Sequence, residues 1–433
     1  MRVLQIASIF PVEDAPRENP YVRQFISRYL KQHDAEIEVV KPVAYLPNTL
    51  TAVSLKKEYW QQKRRLSRTK DYTFNQVKIT VWPYMSVGSV SELHVFFSSF
   101  TLWRNRKKIK QEDVSSYDLI HAHFLFPDGM IAYQLNKKYG IPYVLTLQQE
   151  LRFLENKLSL KWVKKIINKA SAVTTLSPQM EEGLKEKGIE DVQLVPLGIE
   201  AYFFKDGCHS ERSEESPLKS GGDSCPTGRR ASLSLRMTTR ERTDAQDDKE
   251  RKLKLLSVCN LLPIKNLETV IGAISSMPEK EQIDYTIYGT GPLEQQLKEL
   301  ASELQLDWVV HFKGAIENKE LPAVMQEYDA FIQPSFKETL GLSYFEALAC
   351  GLPVILTENT GAYEMIKDKD VYYVVDPHDA ESVASCLKGI LEDKETLARK
   401  AALSPDVAKI ASWEGFVKFF HGKYEEVVKN ISP

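Results

Sequence analysis

Long apolar runs, paired cysteines and net charge are what this 433-residue chain has little of. No apolar run reaches 18 residues, so no helix is expected to span a bilayer. The start, Met1 to Phe10, is apolar but meets Pro11 at once and has no small-residue cleavage site; it reads as a first strand, not a signal peptide. The five cysteines stand far apart with no Cys-x-x-Cys pair, which argues for reduced thiols in the cytoplasm and against a disulfide framework or a zinc site. Glycine is missing between Met1 and Pro20, so the loop after the first strand has no glycine in it. The net charge of −2 hides an asymmetry: residues 1–205 sum to +9, residues 206–250 to −2 and residues 251–433 to −9.

What is present is an ordinary globular composition, 43% hydrophobic, over a length that suggests two to three domains. The most informative stretch runs from Ala330 to Leu356. Two short apolar runs, Ala330–Ile332 and Val354–Leu356, flank a helical segment from about Gly341 to Cys350, the pattern of a βαβ unit with a parallel sheet. Glu338 precedes that helix and Glu346 lies within it, about 7–8 Å along the axis from Gly341. The spacing puts Leu342, Phe345 and Ala349 on a buried stripe and Glu346 on its shoulder, where a carboxylate needs a partner. Gly341 and Leu342 open the helix with free backbone N–H groups, an anion site by construction. Carboxylate, anion site, carboxylate matches a nucleotide sugar laid along the helix: sugar hydroxyls on Glu338, diphosphate on the Gly341 amides, ribose on Glu346. By spacing alone, a solvated loop acid and a surface helix acid explain the pair equally well.

The surrounding text, PSFKETLGLSYFEALACGLPVI, resembles the E-x7-E region of the large retaining GT-B glycosyltransferase family 4. Pro334, Ser335, Glu338, Gly341, Leu342, Glu346, Ala347, Ala349, Cys350, Gly351, Pro353 and Val354 match; Thr339-Leu340 replaces the common Gly-Phe. The resemblance extends along most of the chain. Tyr21, Val22, Arg23 and Phe25 resemble the family's acceptor-side helix start, and a plain amphipathic helix explains them singly as well. Tyr117 to His123 is a strand ending in His-x-His, followed by Pro127-Asp128-Gly129; the resemblance puts His123 near the donor sugar and leaves His121 as a structural histidine. Gln148 stands where relatives often have a histidine, and Asn260 where an arginine is common. Lys265 matches the lysine that pairs with the donor diphosphate, and Gly289 and Gly291 match a glycine turn beside the nucleotide.

The fold implied is α/β: GT-B, two Rossmann-like domains facing across a cleft. The expected division is an acceptor-side domain over 1–205, a disordered low-complexity insertion over 206–250, a nucleotide-sugar domain over 251–410 and a final helix over 411–433 crossing back to the first domain. The activity implied is transfer of a glycosyl group from a nucleoside-diphosphate sugar, with retention, to a glycan or lipid-linked acceptor in cell-surface polysaccharide synthesis. No metal and no cofactor are expected. The implied catalytic residues are Glu338, His123 and Lys265; donor contacts fall to Lys265, Gly289, Gly291, Glu338, Gly341, Leu342 and Glu346, and acceptor-side contacts to Tyr21, Arg23 and Gln148. Two basic runs with interleaved aromatics, 54–70 and 94–110, suit an anionic membrane surface on the inner face of the cell membrane; no nucleic-acid motif accompanies them. The competing readings are a nucleotide-sugar-binding protein without transferase activity and a GT-B phosphorylase or epimerase.

Overall fold

The computed structural model describes residues 1–10, 21–46, 57–68, 70–85, 116–148, 157–204 and 251–430. The 206–250 insertion, the 94–110 run and most of the loop after the first strand lie outside those residues. The chain divides into two units, Met1–Ile199 with Ile410–Pro433, and Glu200–Lys409.

The first unit is built on an eight-stranded sheet in the order β3-β4-β2-β1-β5-β6-β7-β8. Its strands are β1 (Arg2–Ile6), β2 (Glu36–Tyr45), β3 (Tyr72–Phe74), β4 (Val77–Met85), β5 (Leu119–Ala122), β6 (Tyr143–Leu147), β7 (Ala172–Thr175) and β8 (Gln193–Leu194). All pairings are parallel except β3 with β4. That hairpin turns on Asn75 and Gln76, both at positive φ, the geometry a two-residue connection requires. The central strands read as continuous apolar runs because both faces are covered: β5 and β6 are buried at every position.

One face of this sheet is closed by the helices Tyr21–Gln32 and Trp413–Lys429. The latter starts at Ser412, whose hydroxyl accepts from the Gly415 N–H at 3.1 Å, a standard N-cap. Trp413, Phe416, Val417, Phe420, Tyr424 and Val427 recur at helical spacing and are all buried. Phe25 meets Phe416 and Phe420 with ring centroids 5.5 and 5.4 Å apart. Gly198 fits beneath this helix because a Cβ there would come within 2.4 Å of the Trp413 nitrogen, and the next residue, Ile199, donates to the Ala411 carbonyl at 2.7 Å.

The second unit holds a six-stranded, wholly parallel sheet of β9 (Leu253–Val258), β10 (Ile283–Tyr288), β11 (Val310–Gly314), β12 (Ala330–Ile332), β13 (Val354–Leu356) and β14 (Tyr372–Val374). The order β11-β10-β9-β12-β13-β14 is that of a doubly wound dinucleotide-binding sheet. Its core is aliphatic, with Leu255, Val270, Ile271, Ile274, Ile287, Ile332, Ile355 and Leu387 all fully buried. Each sheet has one place where the winding reverses, β1 beside β5 in the first and β9 beside β12 in the second. Open parallel sheets bind ligands outside the carboxyl ends of the strands at such a place.

The apolar stripe expected on the 341–350 helix needs correction. The helix spans Leu342–Ala349; Leu342 is half-buried, while Tyr344, Phe345, Ala347, Leu348 and Ala349 are buried. It packs against the helix Lys394–Ala408 as well as the sheet, so more than one face is covered.

Candidate functional site

At the carboxyl ends of β9 and β12, four loops converge. The loop after β9 contains a 3₁₀ turn, Pro263–Lys265, and then Asn266 at φ 58°. Asn266 is buried and acts as a clamp: its side-chain amide donates to the Pro334 carbonyl at 3.0 Å and the Pro377 carbonyl at 2.7 Å, and its carbonyl oxygen accepts from the Thr269 hydroxyl at 2.6 Å. Asparagine tolerates the left-handed conformation that this junction needs. Lys265, immediately before it, is thereby fixed, and its ammonium donates to Glu338 Oε2. Both side chains are about one-fifth exposed. Glu338 is held in turn through its backbone, its N–H on the Asn359 carbonyl at 3.3 Å and its carbonyl accepting from Gly361 at 3.0 Å.

Gly341 ends this loop at φ +80°, and a Cβ would lie 2.5 Å from the Tyr344 ring and 3.0 Å from Glu338 Cγ. Both the dihedral and the crowding therefore require glycine. Tyr344 is wholly buried and its hydroxyl donates to the Gln333 carbonyl at 2.6 Å, so the ring cannot give way. Among the described residues no side chain caps the helix. Among the described residues the N–H groups of Gly341, Leu342 and Ser343 have no acceptor, which leaves a positive helix end open beside Lys265.

Glu346 is half-buried on this helix. Among the described residues no cation pairs with it, and burial first, then the nearby Glu200 carboxylate, push its carboxyl up to about 7. The partner that the sequence seemed to demand is absent from the described residues, and the raised carboxyl is the consequence. Gly289 and Gly291 hold the next turn by close backbone approach: a Cβ at Gly289 would fall 1.8 Å from the Cys259 carbonyl oxygen and one at Gly291 2.5 Å from that of Leu261. In this structure their small size serves the packing of the β10 turn on the β9 loop. Cys259, Cys350 and Cys386 are free thiols.

At the carboxyl ends of β1 and β5 the polar groups are instead joined to one another. His123 Nε2 lies 2.6 Å from Gln5 Oε1, and His123 Nδ1 2.8 Å from the Tyr21 hydroxyl. The Gln5 amide donates to the Tyr424 hydroxyl at 3.2 Å, which lies 2.5 Å from His121 Nδ1; His121 Nε2 is 2.8 Å from Thr146 Oγ1, itself 2.8 Å from Thr174 Oγ1. Gln148 Nε2 donates to the Tyr21 hydroxyl at 2.5 Å. One direction of donation satisfies the whole series, from Gln148 through Tyr21, His123, Gln5, Tyr424, His121 and Thr146 to Thr174. Both histidines are buried and held well below the usual range by desolvation, His123 down to about 3. Both therefore stay neutral, with both His123 ring nitrogens within hydrogen-bond distance of protein partners. In this structure the ring nitrogens of His123, the residue expected near the donor sugar, lie against Tyr21 and Gln5. Arg23 lies with its guanidinium 5.5 Å from the Phe74 ring.

Lys41 went unnoticed in the sequence, and Asp128 was seen there only as part of the Pro127-Asp128-Gly129 turn. Lys41, buried in β2, donates to the carbonyls of Ser8 and Phe10, and buried Asp128 accepts from the Ser8 N–H at 3.1 Å with each oxygen. Together they fix the start of the glycine-free first loop. A lysine inside an apolar strand was the available signal.

Residues 64–202 match the family model described as Glycosyltransferase Family 4, and residues 239–402 that described as Glycosyl transferases group 1. This chain belongs to glycosyltransferase family 4. Relatives include TuaC of Bacillus subtilis, named for teichuronic acid biosynthesis, at 24% identity over 89% of this chain and 88% of that one. The D-inositol 3-phosphate glycosyltransferase of Corynebacterium jeikeium is 26% identical over 73% of this chain and 74% of that one. Among solved structures, sucrose-phosphate synthase from Thermosynechococcus elongatus aligns over 99% of both chains with a TM-score of 0.64 at 18% identity. Anabaena HepE, solved with UDP, aligns over 98% of this chain and 99% of that one with a TM-score of 0.61 at 15% identity. These likenesses establish the GT-B fold for this glycosyltransferase.

Proposed function

We propose that this glycosyltransferase takes a glycosyl group from a nucleoside-diphosphate sugar and passes it, with retention, to a glycan or lipid-linked acceptor in cell-surface polysaccharide synthesis. The observation that carries the reading is the open helix end at Gly341 and Leu342, with Lys265 and Glu338 on one side and a carboxylate lacking a described ion-pair partner, Glu346, along the helix. HepE, of the same fold, has been solved with UDP and with UDP-glucose, which supports a nucleotide-sugar donor.

In this reading the diphosphate lies on the open N–H groups and beside Lys265, where preorganised positive charge meets the charge that develops on the leaving group. Glu338 keeps Lys265 aimed and takes sugar hydroxyls. Glu346 accepts from the ribose hydroxyls, which removes its desolvation penalty. The acceptor oxygen bonds to the anomeric carbon on the face from which the diphosphate departs, the anomeric carbon–oxygen bond breaks, and the acceptor proton passes to the leaving phosphate. Gln148 and Tyr21, fixed by His123, present polar groups on the acceptor side. The basic runs 54–70 and 94–110 hold the enzyme against an anionic membrane.

The test is nucleotide release from UDP-, GDP- and ADP-sugars, with and without a lipid extract. Release from one donor, abolished by Lys265→Ala and Glu346→Ala, is the expected result. Saturable nucleotide binding without release under any acceptor condition would favour a binding protein, and dependence on inorganic phosphate a phosphorylase.

A further inference from the structure

One contact outside the series that ends at Gln148 decides the direction in which the whole series donates. Hydroxyls and neutral imidazoles both donate and accept, so within the series each link can be reversed if all are reversed together. A main-chain carbonyl only accepts. Gln148 Nε2 lies 3.3 Å from the His123 carbonyl oxygen as well as 2.5 Å from the Tyr21 hydroxyl, so the amide nitrogen must face both. With the amide turned over, two carbonyl oxygens would meet there instead. Each later link then follows. Tyr21 accepts from Gln148 and gives its own hydrogen to His123 Nδ1. The hydrogen of His123 therefore sits on Nε2, and the Gln5 atom beside it is the oxygen. The Gln5 nitrogen donates to Tyr424, and Tyr424 to His121 Nδ1. Burial keeps both rings neutral, so no second imidazole hydrogen interrupts the order.

The consequence falls at the outer end. Gln5 is buried and both ends of its amide are engaged. Gln148 is half-buried, and its nitrogen is committed twice. Among the described residues its Oε1 has no hydrogen-bond partner. What Gln148 offers a ligand is therefore an acceptor and not a donor. A carbonyl oxygen takes a hydroxyl hydrogen; it disfavours an ether, a carbonyl or an anion, which bring only lone pairs.

We propose that Gln148 is a specificity-determining residue on the acceptor side, its Oε1 accepting from a hydroxyl of the acceptor sugar. Tyr21, His123, Gln5 and Tyr424 are the positioning residues that hold its amide in this sense. This rests on the acceptor-side reading above and adds to it the polarity of the contact.

The test is nuclear magnetic resonance of the full chain labelled with nitrogen-15 at histidine and glutamine, without nucleotide. Both His121 and His123 should appear as Nε2–H tautomers from about pH 5 to 8. The Gln148 side-chain amide, assigned by its loss in Gln148→Met, should shift saturably with methyl glucoside, methyl galactoside or methyl mannoside. Monodeoxyfluoro analogues of the glycoside that binds keep each hydroxyl's size, but their fluorine cannot donate. One of them should bind about tenfold more weakly than the parent, and Gln148→Met should bind that analogue and the parent alike. Tyr424→Phe should narrow the same difference, with nucleotide affinity unchanged in both variants. An Nδ1–H tautomer at His123 overturns the polarity. A difference between parent and analogue that survives in Gln148→Met overturns the contact, as does no saturable shift with any of the three glycosides. Should Tyr424→Phe not fold, Gln148→Met at the half-buried outer end still decides. Absence of nucleotide binding in the wild type defeats the donor reading separately and leaves these titrations decisive.

Discussion

The two sheets of this glycosyltransferase each reverse their winding once, and the polar groups gathered at those two places are treated in opposite ways. Beside β5, eight side chains from Gln148 to Thr174 satisfy one another, and two buried histidines are held neutral. Beside β12, the helix N–H groups lack acceptors among the described residues, a glycine is held at φ +80°, and Glu346 is raised to about 7. A satisfied network specifies a shape, whereas unmet groups specify a ligand. The contrast teaches that two equivalent places in the two sheets differ in how far their polar atoms are already engaged by the protein.

The sharpest way to break the comparison is to remove a charge from the open side. Lys265→Ala should lower nucleotide release by about 10²–10³, the loss typical of removing one preorganised electrostatic donor, with little change in melting temperature. Steady-state release kinetics and a thermal melt check both halves. Gly341→Ala comes next. Strain at positive φ and a clash with the Tyr344 ring should cost about 1–3 kcal/mol of stability, read by urea denaturation, together with donor affinity.

On the closed side, Tyr424→Phe removes a hydroxyl that serves Gln5 and His121. It should cost about 1–3 kcal/mol of stability and leave nucleotide affinity unchanged; a change in affinity would erase the distinction between the two places.

Glu346 gives a pH signature. Its carboxyl is raised in the folded chain, to about 7 from an ordinary 4.5. The stability linked to it is therefore fully present below 4.5 and lost as pH rises through 7, a loss of on the order of 3 kcal/mol at most. Glu346→Gln should remove that slope and stabilise the chain above pH 7. Donor affinity should run the other way, rising with pH through 7 to a plateau above it as the carboxylate that receives the ribose hydroxyls forms. Smallest of all, Lys185→Ala breaks an exposed pair with Glu181 and should change stability by less than about 0.5 kcal/mol.

Much of the fold was legible because its signals are local. Short β-rich runs separated by helical stretches announce a parallel sheet, and the Ala330–Leu356 text carries strand, glycine turn and helix in order. Glu338, Gly341 and Glu346 were visible for the same reason: they lie within nine residues of one another. What stayed hidden depends on distant partners. The structural part expected of His121 was legible, but nothing near it announces its partner Tyr424, some three hundred positions later. The Lys265–Glu338 pair spans 73 positions and the Asn266 clamp reaches 111, and neither has a periodicity to betray it. Buried Tyr344, Ala347 and Leu348 were missed because helical period alone cannot foresee a second helix packing from the side.

The most direct test of the central claim, that the donor is held by the second unit's open helix end, is amide hydrogen exchange with and without saturating nucleoside diphosphate. Slowed exchange over Cys259–Lys265 and Gly341–Glu346, with the peptides covering His121–Gln148 unchanged, is the result this account predicts. Protection confined to His121–Gln148, or protection that skips Gly341 and Leu342 while the nucleotide still raises the melting temperature, would contradict it.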